Sequence, residues 1–186
     1  MNHPTTSTWN VDPGHSAVQF KVQHLAIANI CGAFLAFAGT VQTDRDDFAD
    51  AQVQMELEVA SLSTNNALRD THLKSDVFFD AQQFPTLTFS GVLRKLADQY
   101  ALTGLLTIRG VAKEVTLAAA LTGTGIGRWG DTQAGFALTG TLNRTDFGLT
   151  WNMLTELGGL LIGEEIGLQL DVELIKEQAA VPAAAV

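Results

Sequence analysis

Arg69, Asp70 and His72 fall within one helical turn of sequence, and Phe78, Phe79 and Phe84 follow closely. A carboxylate that orients an imidazole beside a cation is an acid–base arrangement, suited to moving a proton in a water-poor site. The same three side chains can also satisfy one another on a surface and hold a helix in place. His24 is the other candidate base, because it continues the apolar face of Val18, Phe20 and Val22. Other chemistry finds no support. The four histidines, His3, His15, His24 and His72, share no metal-ligand spacing, and the single cysteine, Cys31, has no second thiol to join it. Neither Gly-x-Ser-x-Gly nor His-Glu-x-x-His occurs. No catalytic residue and no metal ligand is therefore assigned, and no cofactor is expected. Gly125-Ile126-Gly127-Arg128-Trp129-Gly130 fits a dinucleotide fingerprint only if a helix follows. Asp131 to Phe136 reads as a strand, so the glycines mark a hairpin loop. Asn143-Arg144-Thr145 is a formal glycosylation sequon read here as turn chemistry, and Cys31 is expected to pack as a small hydrophobe.

The elements that must position these residues are strands. Val53, Met55, Leu57 and Val59 alternate with Gln52, Gln54, Glu56 and Glu58. Ile166, Leu168, Leu170, Val172 and Leu174 alternate with polar residues and Gly167. Both are half-buried strands. Similar alternation runs through Val18–Val22, Leu87–Phe89, Leu102–Ile108, Val115–Leu121 and Phe136–Leu142, and Phe34–Val41 reads as one further strand. About eight antiparallel strands result, joined by short turns such as Ala97–Gln99 and the Gly123–Gly130 segment. One helix is expected, from Ser63 to Ser75, capped by Ser63 or Thr64. Gly91, Gly104, Ala119 and Gly140 lie in register with the apolar faces. A tight sandwich would put larger residues there, so a barrel with a lumen is favoured.

The bulk numbers bound the function. With 186 residues and 46% hydrophobic composition the chain makes one domain, residues 1–176, with residues 177–186 expected to be a disordered tail. A net charge of -9 repels phosphate backbones, so nucleic acid is not an expected partner. No apolar run approaches the roughly 20 residues of a membrane helix, so stable membrane insertion is not expected. The first residues lack the pattern of a signal peptide, and the expectation is a cytoplasmic protein.

Several pieces resemble the YceI-like family of lipid-binding proteins, in that family's order, from Trp9 to about Lys176. Trp9-Asn10-Val11-Asp12-Pro13-Gly14-His15-Ser16 looks like its opening motif. His24-Leu25 and Gly32-Ala33-Phe34 follow, then Arg69-Asp70-Thr71-His72-Leu73, Phe78-Phe79-Asp80 and Phe84-Pro85. Leu105 to Val111, Asn143 to Leu149 and Gly163-Glu164-Glu165-Ile166 complete the set. The resemblance implies an extended, eight-stranded, lipocalin-like antiparallel barrel holding a long amphiphile, typically a polyisoprenoid. It also implies a homodimer; many relatives are exported to the periplasm. The chain departs from the pattern at Cys31 and Ala33, where relatives commonly carry basic or polar residues.

The expected function is non-enzymatic binding, storage or transport of a polyisoprenoid or isoprenoid quinone. About 0.8 kcal/mol per buried methylene makes the wall the source of affinity and leaves polar groups to select the head. Wall candidates are Phe20, Val22, Phe37, Met55, Leu57 and Phe89, together with Leu102, Leu106, Phe136, Leu138, Leu168 and Leu170. Candidates for the polar end are His24, Arg69, His72, Asn143 and Trp151. The helix and the phenylalanines after it are expected to close one end, with Leu68, Leu73, Phe78, Phe79 and Phe84 facing inward. The alternatives are a lipid-modifying enzyme using His24 or the Arg69–Asp70–His72 cluster, and a stress-response barrel with a filled core.

Overall fold

The alternation becomes a closed antiparallel barrel in the computed structural model, which describes residues 6–153 and 161–178. In chain order the strands are β1 (Ser7–Val11), β2 (Ala17–His24), β3 (Ala28–Phe34), β4 (Phe37–Thr43), β5 (Ala51–Glu58) and β6 (Leu62–Ser63). One helix, α1 (Ala67–Lys74), precedes β7 (Thr86–Leu96), β8 (Gln99–Ile108), β9 (Val111–Ile126), β10 (Thr132–Asn143) and β11 (Ile162–Lys176). Two short 3₁₀ turns, Val59–Ser61 and Arg144–Phe147, fall between strands.

Several segments are halves of one bent stave. β1 and β2 follow each other along one side, β3 and β4 along the next, and β5 leads into β6, so the barrel has eight staves. Each is antiparallel to its sequence neighbour, and β1 closes the circle against β11 through Trp9↔Lys176 and Val11↔Leu174. The expected single strand Phe34–Val41 is thus two strands. The chain turns at Leu35–Ala36, and Leu35 is left exposed. Tight turns fix the register elsewhere. At the β8–β9 turn Ile108 pairs Val111, with Arg109 (φ 51°) and Gly110 (φ 75°) both left-handed, the geometry whose twist matches a two-residue hairpin.

Small residues serve close packing rather than emptiness. Gly91 lies opposite Gly104, and a Cβ on either would fall under 3 Å from the Phe89 ring tip, so the paired glycines seat that ring against the sheet. β9 pairs with β10 only over Ala118–Ile126. The earlier half of β9 pairs with β8 alone among the described residues, and there the 3₁₀ turn after β10 packs in, with Phe147 and Leu149 buried.

The interior divides along the barrel axis. One half is solid: Phe48, from the loop after β4, is 1% exposed and packs against Trp9 (ring centroids 4.9 Å) and Phe136 (5.2 Å), with Tyr100 5.8 Å from Phe136. The other half, under α1, keeps a lumen. The strands run to Lys176, and Glu177 still donates its backbone N–H to Thr8 O at 2.8 Å. Of the expected tail, residues 179–186 lie outside the described residues.

Candidate functional site

The lumen follows from the period of two. Each stave presents alternate side chains to the axis, and on the α1 side of the Trp9–Phe48–Phe136 stack those side chains do not meet. The resulting cavity has a volume of about 220 Å³, counted as the space the centre of a water molecule can sweep. A packed core would close it: at about 24 cal/mol per Å³ of void, that volume favours collapse or filling by about 5 kcal/mol. Its wall is apolar. Of the expected wall residues, Phe20, Val22, Met55, Leu57 and Phe89 border it, as do Leu102, Leu106, Leu168 and Leu170. Phe37, Phe136 and Leu138 do not. Phe37 is buried near the bend between β3 and β4, while Phe136 and Leu138 belong to the solid half. They have the correct parity, and Phe37 and Leu138 even pair with the cavity-lining Leu57 and Leu170, but parity is all that alternation encodes and it does not decide which side chains reach the void.

The segment from Asn65 to Pro85 covers this end. Asn65 takes a left-handed φ of 58°, which delays the helix, and Asn66 rather than Ser63 or Thr64 caps it by accepting the Arg69 N–H at 3.0 Å. Helix α1 is therefore shorter than the expected Ser63–Ser75. Its cluster of charges works inward on the backbone. Thr64 donates both its N–H (2.8 Å) and its hydroxyl to Asp70, and Arg69 donates Nε to the Thr64 hydroxyl (2.7 Å) and Nη2 to the Thr64 carbonyl (2.9 Å). Burial pushes the Asp70 carboxyl up, but the Thr64 hydrogen bonds, aided by Lys74 and Arg69, outweigh it and hold the pKa below the usual carboxylate value. No hydrogen bond joins Asp70 to His72 among the described residues, so the three side chains do not form an acid–base relay.

A second clasp comes from the β8–β9 turn, where Arg109 donates to the carbonyls of Phe78 (3.1 Å) and Asp76 (2.8 Å). It holds Phe78, 3% exposed, over the lumen beside Leu73 and Phe79. Two expected cover residues point elsewhere. Leu68 is 87% exposed, because the N-terminal turn of α1 stands clear of the barrel, and Phe84 packs against Gly110 rather than the cavity.

His72 borders the lumen, with its ring edge-on to Trp151 (centroids 4.6 Å) and Phe78 (5.6 Å). Its Nε2 is buried without a hydrogen-bond partner among the described residues. Such a group costs about 1–3 kcal/mol. Trp151 packs over this corner rather than lining the cavity. Arg69 also borders the cavity, with its guanidinium engaged by Thr64, whereas His24 and Asn143 lie outside it. His24 ends β2 at the rim, paired with Ile162 and Ala28, and Asn143 is exposed and accepts the Thr145 N–H (2.9 Å) to start the 3₁₀ turn.

The residue that sequence reasoning missed is Arg144, which follows that cap. It is 3% exposed, borders the cavity, and donates to the backbone carbonyls of Gly163 (2.9 Å), Trp151 (3.0 Å), Ile162 (3.4 Å) and Leu149. Burial lowers its pKa. It ties the loop after β10 to the start of β11. Its place inside the sequon-like triplet gave no hint of this.

Two other features are accounted for by structure alone. Asp12, His15 and Glu173 meet at the β1–β2 bend, with His15 Nδ1 2.7 Å from Asp12 and 3.7 Å from Glu173. The hydrogen bond to Asp12 raises the His15 pKa, and the group clasps the bend between β1 and β2. Cys31 is exposed, not packed, because it sits on the outward face of β3 opposite Lys21.

A closed meander of eight staves with one solid half and an apolar lumen under a helical cover defines a lipocalin-like barrel. The YceI-like domain family matches residues 9–174, and the chain belongs to that family. The chain is 36% identical over 165 residues to Protein YceI of Salmonella newport, an alignment covering 88% of this chain and 83% of that one. A crystal structure of a Campylobacter jejuni YCEI protein is similar at 30% identity and a TM-score of 0.69, covering 85% of this chain and 91% of that one. A polyisoprenoid binding domain from Saccharophagus degradans shares the fold, with a TM-score of 0.66 at 14% identity and coverage of 91% and 98%. Among the described residues no helix is long and apolar enough to cross a membrane.

Proposed function

We propose that this protein binds and carries, or stores, a long amphiphilic lipid, a polyisoprenoid or an isoprenoid quinone, without chemically altering it. The observation that carries the reading is the apolar lumen of about 220 Å³ beneath the α1 cover. At about 0.8 kcal/mol per buried methylene, roughly ten methylenes would contribute about 8 kcal/mol before ordering costs, which no single polar contact matches. Membership of the YceI-like family and the fold shared with a polyisoprenoid binding domain support the choice of lipid. Nine of the twelve wall residues named from sequence border the cavity and are the proposed chain-binding surface. The homodimer that the resemblance implies stays part of the reading.

Arg69 and Asp70 are engaged with Thr64, which leaves His72 without the carboxylate that a general base would need to orient it. Organic extraction of purified protein followed by mass spectrometry is the test. A co-purified or added polyprenol or quinone bound in about one-to-one ratio is the expected result. Protein that carries no lipid and takes up neither one would refute the proposal.

A further inference from the structure

Among the described residues, the polar groups bordering the lumen near α1 are consumed by the protein itself, with one exception. The Thr64 hydroxyl is held between Asp70 and Arg69, and Arg144 directs its guanidinium at four backbone carbonyls. The exception is the buried Nε2 of His72, whose ring borders the cavity and is wedged against Trp151 and Phe78; the nitrogen itself has no surface open to the lumen, so a head group meets it only by displacing a neighbouring side chain.

Resting on the lipid-binding reading above, we infer that His72 Nε2 is the head-group contact, and that the head it selects is neutral and offers one oxygen, a hydroxyl or a quinone carbonyl, rather than a phosphate. An imidazole can meet either oxygen. One tautomer donates from Nε2 to a carbonyl, and the other accepts from a hydroxyl. A phosphate brings negative charge and several acceptor oxygens, each needing a donor once water is excluded. The guanidinium of Arg144 would have to abandon its carbonyls to supply them, and the charge of Arg69 is already offset by Asp70 next to it. A neutral oxygen asks for one hydrogen bond, and among the described residues that border the lumen one buried nitrogen lacks a partner.

The test uses the full chain and four probes with the same isoprenoid tail: a polyprenol, a quinone, a polyprenyl monophosphate and the headless hydrocarbon. Binding is read by quenching of tryptophan fluorescence, since Trp151 lies against His72. Wild-type protein should bind the polyprenol and the quinone more tightly than the monophosphate. His72→Phe keeps the ring contacts and removes the nitrogen; it should weaken the two neutral-headed ligands roughly five- to tenfold, the worth of one hydrogen bond. Binding of the hydrocarbon should be unchanged. His72→Gln, which retains a donor and an acceptor, should recover part of the loss and serves if the phenylalanine variant does not fold. Tighter binding of the monophosphate overturns the inference, as does an equal loss for all probes, which would make His72 a packing residue. In either case lipid binding itself survives. Failure of wild-type protein to bind any probe, the hydrocarbon included, removes the lipid-binding reading as well.

Discussion

Asp70 shows how a residue that looks catalytic in sequence becomes a fastener. Its carboxyl accepts two hydrogen bonds from Thr64 and so is held below the usual carboxylate value of 3.8. Its folded pKa lies below its unfolded one, so its contribution is complete above 3.8 and is lost as pH falls through the lowered value. Asp70→Asn should cost about 1 kcal/mol at neutral pH, kept modest by partial solvent screening. That difference should shrink on acidification. Denaturant melts of both proteins from pH 7 down into the acid range would show it, and a gap that stays constant with pH would rule out the carboxylate as the fastener. His15 has the opposite sign. Its pKa is raised by Asp12, so its contribution is complete below 6.5 and fades as pH climbs through the raised value.

The cover over the lumen is an element built from three contacts of different kinds: the Thr64 clasp, the Arg109 clasp and the packing of Phe78. Hydrophobic residues within it are not equivalent. Phe78 is 3% exposed and Leu68 is 87% exposed, although both look like cover in sequence. Phe78→Ala should destabilise the protein by about 3 kcal/mol through the cavity it leaves, whereas Leu68→Ser should change stability by less than about 0.5 kcal/mol. Thermal or urea unfolding of the two variants separates them. Equal effects would mean that the helix packs through Leu68 after all. The helix itself was legible from residue spacing and capping, but its start was not. The left-handed Asn65 and the Asn66 cap shift it past Thr64, and the capping choice among Ser63, Thr64, Asn65 and Asn66 depends on where Asp70 and Arg69 find the backbone.

For the whole molecule, the consequence of the barrel is that neighbours in sequence have opposite fates. Leu105 points out, 54% exposed, and Leu106 borders the lumen. Leu106→Trp should displace lipid by occupying the cavity, at a cost of about 1–3 kcal/mol for overpacking, while Leu105→Trp should leave lipid content unaltered. Lipid per protein after extraction, measured by mass spectrometry, decides this. Equal lipid content in the two variants would place the ligand outside the barrel.

Sequence alone determined most of the strands and their faces and favoured the closed antiparallel class, because the period of two is a local property that half-buried strands display; it did not show β1 or the break between β3 and β4. It also placed most of the lumen wall, since nine of the twelve named residues border the cavity. Tertiary structure alone decided where the interior is solid. Phe136 and Leu138 share the parity of Leu168, but Phe48 arrives from a distant loop and fills the barrel at their level. It alone decided that Arg144, not Asn143, reaches the interior, because the carbonyls that hold Arg144 come from the loop after β10 and the start of β11. And it alone left His72 Nε2 without a partner among the described residues, with the carboxylate two residues earlier taken up by Thr64. Local alternation fixes which face a side chain joins; what that face meets depends on chain segments far away in sequence.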